Sequence, residues 1–143
     1  MYSYIKIAIV DSHLAWCEAM AGYLSERSFT VLMYSDNPPA VPNLLDPSNL
    51  PDIIIISCSG MQPGSITIIR ELKTRFPSIK LLASVVFGHN LSKETLTGAG
   101  VDGWIVKTVA DPWAVMLQIL LLCMPKIIRQ GAIGRFSDPD PLP

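Results

Sequence analysis

Charge is scarce in this chain. Only 16% of its 143 residues are Asp, Glu, Lys or Arg, and 12 acids nearly cancel 11 bases for a net charge of −1. With half the residues hydrophobic, intrinsic disorder is excluded for most of the chain, because disorder needs low hydrophobicity and high charge. Direct nucleic-acid binding is not expected either, since no basic excess is available to track a phosphate backbone. Cysteine is limited to Cys17, Cys58 and Cys123. None lies near another, so the spacing gives neither a metal knuckle nor a redox pair. Three reduced thiols in the apolar interior of a cytoplasmic protein are expected. Long hydrophobic runs are also missing. The longest candidate, residues 113–128, falls short of the ~20 residues a membrane helix needs, and Gln118, Pro125 and Lys126 interrupt it. An acid already at position 11 argues against a signal peptide.

What is present is a strongly apolar chain of 15.7 kDa with mean hydropathy +0.38, the size of one compact domain. Five apolar runs punctuate it: residues 5–10 (IKIAIV), 30–34 (TVLMY), 52–57 (DIIIIS), 80–87 (KLLASVVF) and 103–107 (GWIVK). The first, third and fourth are nearly continuous in Ile, Val and Leu. Strands of a parallel sheet covered on both faces have that pattern. Between the runs, helical spacing predicts helices over 13–26, 65–75, 92–99 and 111–124. Ser12, Ser92 and Asp111 are the expected N-caps, the last followed by Pro112 at the first helical position. Five prolines between Pro38 and Pro51 leave room for only a short helical turn near 41–45. The predicted fold is α/β: a doubly wound three-layer αβα domain with a five-stranded parallel sheet and a short or degenerate second helix. The folded domain is expected over 1–125, followed by a partly disordered linker and tail over 126–143.

In such folds the working site lies beyond the C-terminal ends of the strands. Asp11 follows the first predicted strand and Lys107 ends the fifth, so the two charges are expected near one another. Three stretches of the chain then carry a resemblance to response-regulator receiver domains: IVDSH at the first strand end, LPDIIIIS at the third strand, and AGVDGWIVK over residues 99–107. The last resembles that family's Ala-Gly-x-x-Gly-aromatic-x-x-Lys signature. The Asp-Ser-His opening is most similar to receivers that precede a LuxR-type helix-turn-helix, and the resemblance covers residues 5–124.

The resemblance implies a degenerate phosphorylation pocket. The phosphoacceptor aspartate falls on Ser57, and the opening acid pair falls on Asp11 and Ser12. The switch hydroxyl falls on Val85, with Ser84 adjacent, and the rotating aromatic falls on Trp104. The lysine is matched by Lys107, and Ser59 lies beside the acceptor position. An acyl phosphate needs a carboxylate nucleophile. Mg²⁺ needs hard oxygen ligands, mostly carboxylate, beside phosphate. With Asp11 alone in place of three carboxylates, Mg²⁺ is expected to bind weakly or not at all, and no other cofactor is implied. A serine-hydrolase reading of Ser57 has little support. Its context is not Gly-x-Ser-x-Gly, and neither His13 nor His89 has an evident acid partner.

The expected function is therefore that of a non-enzymatic pseudo-receiver, a phosphorylation-independent interaction and dimerisation module in signal transduction or transcription regulation. Two alternatives stand beside it: a working phosphotransfer receiver with an altered site, and the N-terminal receiver of a LuxR-type DNA-binding regulator. The last helix is apolar almost all round. Trp113, Leu117 and Leu121 are the expected contacts of a homodimer through the fourth helix, fifth strand and fifth helix. A DNA-binding output domain or another signalling protein is the other expected partner.

Overall fold

A computed structural model describes residues 2–58, 64–86, 92–107 and 111–132. Five strands alternate with helices along the chain: β1 (Lys6–Val10), α1 (Leu14–Glu26), β2 (Thr30–Ser35), a 3-10 turn (Pro38–Ala40) running into α2 (Val41–Leu44), β3 (Ile53–Cys58), α3 (Gly64–Arg75), β4 (Lys80–Val85), α4 (Lys93–Ala99), β5 (Gly103–Val106), α5 (Pro112–Leu122) and α6 (Met124–Ile127). One π-helical turn, Ile128–Ala132, follows α6. The strands form one sheet in the order β2-β1-β3-β4-β5, and every neighbouring pair is parallel. The predicted doubly wound architecture is the one observed.

Period-two alternation divides the strands between two cores. Ala8, Val10, Ile54, Ile56, Leu81, Ala83 and Val85 face one layer, where Val41, Ile69, Leu72, Leu96 and Ala99 of α2–α4 cover them. Ile7, Ile9, Ile53, Ile55, Leu82 and Ile105 face the other, against Cys17, Met20 and Leu24 of α1 and Val115 and Ile119 of α5. Ile53–Ile56 are fully buried on both sides, which is why β3 is four isoleucines rather than an alternation.

The caps at Ser92 and Asp111 form as predicted, accepting from the amides of Thr95 and Ala114. Ser12 does not cap α1. His13 occupies the N-cap position without a side-chain bond, and the Asp11 carboxylate instead accepts the His13 amide at 2.8 Å. Gly100 closes α4 at φ 118, where a β-carbon would lie 2.6 Å from Lys73 Cγ. The proline-rich segment forms only the short α2, as expected. The chain bends by 69° between α5 and the residues that follow it. Beyond the bend the chain is helical rather than extended, and Lys126 reaches both Asp52 carboxylate oxygens at 3.0 Å. Among the described residues no single helix is long and apolar enough to cross a membrane. The tail over 133–143 lies outside the described residues.

Candidate functional site

Parallel strands bring their C-terminal ends to one edge of the sheet, and the pocket is assembled there by the ladder itself. The Asp11 amide bonds Ser35 O at 3.1 Å and the Lys107 amide bonds Val85 O at 2.7 Å. Each residue therefore continues a strand pairing by one step, which fixes where its side chain starts. The Asp11 side chain is fully buried and that of Lys107 is 14% exposed. They meet as an ion pair, Lys107 Nζ donating to Asp11 Oδ2 at 2.7 Å. Oδ1 accepts the His13 amide and lies 3.2 Å from His13 Nδ1. Lys107 Nζ is also 3.5 Å from His13 Nδ1 and 4.9 Å from the centroid of the Trp16 ring. Both carboxylate oxygens are thus engaged by donors, one of them charged, and an indole covers the ammonium.

The other predicted residues sit around this pair in different environments. Ser57 is half-buried near the end of β3 and pairs in register with Ser84 of β4; Cys58 pairs with Val85. Lys107 makes no hydrogen bond to the Ser57 hydroxyl among the described contacts, so the pair closes on Asp11 alone. Ser84 is fully buried, and its hydroxyl has no hydrogen-bond partner among the described residues. Val85 is buried in the α2–α4 layer and offers only methyl groups. Trp104 is half-buried against the same layer, with the Lys93 ammonium 5.2 Å from its ring centroid. Ser12 is exposed and shares a cleft of about 390 Å³ with Asp36, Pro38, Pro39, Gly64, Ser65 and Ile68. Ser59 and His89 lie outside the described residues.

Three participants were not anticipated. His13 does have an acid partner, Asp11, contrary to the sequence expectation; the Asp-x-His spacing allows the carboxylate to fold back on an amide two residues on. Trp16 stands one turn into α1 and reads from sequence as an ordinary helix residue. Asp36 directly follows β2, whose end was not among the strand ends considered, and it brings a second carboxylate to this edge of the sheet.

The thiols stand in surroundings that disfavour the thiolate. Burial pushes the Cys58 thiol up to about 12. Burial, reinforced by Asp11, also raises Cys17, whose Sγ donates to Asp11 O at 3.3 Å. A low-pKa nucleophile needs the opposite environment.

Nor do the donors fit Mg²⁺. That ion takes near-octahedral oxygen at 2.0–2.1 Å, supplied by carboxylates and water. Among the described residues Asp11 is the one buried carboxylate, its oxygens hold Lys107 and His13, and Asp36 opens onto the neighbouring cleft. Ser57, Ser84 and Val85 add no negative charge.

No protein-family profile and no curated protein matches the sequence. Solved structures do match in three dimensions. A LuxR-family two-component response regulator from Aurantimonas sp. SI85-9A1 superposes with a TM-score of 0.70 at 20% identity, covering 92% of this chain and 98% of that one. A response-regulator receiver-domain protein from Clostridium thermocellum gives 0.71 at 17%, covering 87% and 98%. The REC domain of AraT, a response regulator from Geobacillus stearothermophilus, gives 0.72 at 14%, covering 91% and 99%. The fold is that of a receiver domain. Asp11 and Lys107 directly follow β1 and β5, and Ser57 and Ser84 pair one residue before the ends of β3 and β4.

Proposed function

We propose that this receiver-fold domain signals by binding other proteins rather than by accepting a phosphoryl group, and that it is not an enzyme. The observation that carries the reading is the Asp11–Lys107 pair, 2.7 Å long with its carboxylate fully buried, beside a β3 end where the resemblance puts Ser57 at the acceptor position. A serine hydroxyl needs a general base to attack phosphorus. The only imidazole in reach of this edge among the described residues faces Asp11 and Lys107 instead. Val85 cannot hydrogen-bond a phosphoryl oxygen, so the switch position has no means of sensing one. Mg²⁺ binding is accordingly weak or absent.

The binding surface proposed is the outer face of α5, in a homodimer formed with α4 and β5. Trp113, Leu117 and Leu121 are 59%, 39% and 52% exposed. Their spacing of four residues lays them along one stripe. Val115 and Ile119, on the opposite face, are buried. The stripe carries no charge, and a two-fold axis pairs such a patch with its own copy. The buried thiols support action in the reducing cytoplasm. A DNA-binding output, as in regulators of the LuxR type, would then be supplied by a further domain or a partner.

The test is intact mass after incubation with acetyl phosphate and Mg²⁺. The expected mass is unchanged. A one-phosphoryl adduct lost in Ser57→Ala or Asp11→Ala would overturn the reading in favour of a working phosphotransfer site.

A further inference from the structure

The end of the sheet opposite the Asp11–Lys107 pocket carries an unused basic cleft. It encloses about 240 Å³ between the starts of β3 and β4 and the bend after α5, lined by Asp52, Ser78, Lys80, Leu122, Cys123, Pro125, Lys126 and Arg129. Its charges are unbalanced. Asp52, the one acid, is already matched by Lys126 through both oxygens and also accepts the Lys6 amide at 2.8 Å. Asp102, at the start of β5, is matched in turn by Lys73 at 2.8 Å. Lys80 and Arg129 form no ion pair among the described residues. Among the described residues the cleft therefore holds two cations without an ion-pair partner and a third held in place, in a chain whose overall charge is −1. That concentration is local and not a general basic character.

We propose that this cleft binds a small phosphorylated molecule, a monoester or diphosphate. The donor set suits that chemistry. Arg129 offers a planar fork for two phosphoryl oxygens, Lys80 a compact ammonium, and Ser78 a hydroxyl. Lys126, pinned by Asp52, adds a positive charge whose position needs no ordering on binding. Leu122, Cys123 and Pro125 give an apolar wall for the organic part of the ligand. The volume lies below the range usual for drug-sized ligands, which favours a small molecule over a full dinucleotide. The site is independent of the phosphotransfer question, since it lies at the other end of every strand.

The experiment is calorimetric titration of the whole chain with inorganic pyrophosphate at low ionic strength, paired with co-sedimentation on phosphatidylglycerol vesicles. One saturable site is expected for pyrophosphate, weakened at least tenfold in Lys80→Glu and separately in Arg129→Glu. Arg70→Glu, on the exposed side of α3, removes equal charge and is expected to leave binding unchanged. All three variants are checked for native circular dichroism. Absence of saturable binding, equal weakening by Arg70→Glu, or vesicle binding without pyrophosphate binding would each overturn the assignment.

Discussion

Replacing Lys107 by methionine tests whether the closed pocket is held by its ion pair. Methionine keeps most of the length and apolar surface of the lysine stem while removing the charge. Asp11 is fully buried, so the substitution leaves a carboxylate facing a methyl group in a site that water reaches poorly. Breaking a buried pair by removing one partner typically costs about 3–5 kcal/mol. The lower end applies here, because Oδ1 keeps the His13 amide and His13 itself is exposed and free to turn inward. A loss of about 3 kcal/mol corresponds to a fall in Tm of about 6–12 °C for a domain near this size. Urea unfolding followed by circular dichroism reads the loss directly. The decisive comparison is with Asp11→Asn and with the double variant, since removing both charges also removes the unpaired one. The double variant is expected to be more stable than Lys107→Met alone. If the two single effects simply add, or if Lys107→Met costs under about 1 kcal/mol, as an exposed pair would, the pair does not hold the pocket.

Three further outcomes are expected. Light scattering at tens of micromolar should report a dimer, and Leu117→Glu or Leu121→Glu should give a folded monomer; a wild-type monomer at that concentration would remove α5 as the interface. Ser84→Ala deletes a buried hydroxyl that has no partner among the described residues, so chemical denaturation should show a gain of about 1 kcal/mol, and a comparable loss would mean that the hydroxyl has an unrecognised role. Burial raises Cys58 to about 12 and Cys123 to about 11, from an ordinary thiol value of 9.0. Because the folded values lie above the unfolded one, the stability these thiols contribute is complete below pH 9 and declines as pH rises from 9 towards 12. Cys58→Ala with Cys123→Ala should flatten the alkaline limb of a stability–pH profile, and an unchanged slope would refute their part in it.

The frame of this domain was legible because it depends on short-range pattern. Short, β-branched isoleucine runs that do not alternate read as strands covered on both sides, and Ser92 and Asp111 announce helix starts within three residues. The outward face of α5 followed from the same arithmetic: Leu117 and Leu121 are one turn apart, and both are exposed. Where the sequence reading failed, a local rule met a longer-range competitor. Ser12 is a good cap by type, but the Asp11 carboxylate one residue earlier reaches the His13 amide, and once Lys107 fixes that carboxylate the first turn of α1 starts on its terms.

The site was legible only in part, because its chemistry is a matter of sheet order. Asp11 and Lys107 are 96 residues apart, and their meeting depends on β1 lying beside β3, and on β4 and β5 extending the sheet beyond it. A list of residue types places a carboxylate and an ammonium at strand ends. It does not say that the carboxylate will spend both oxygens on an amide, a ring nitrogen and that ammonium. That distinction decides what the pocket can do. A lone exposed aspartate at this edge would still be a ligand in search of a cation. An aspartate already bonded to Lys107 through Oδ2 must lose that partner before it can take a metal, and in a buried setting the loss is of the order of the 3 kcal/mol tested above. Mg²⁺ would have to recover that free energy with Asp11 as the one buried carboxylate among the described residues, which is the physical reason to expect the pocket to stay shut.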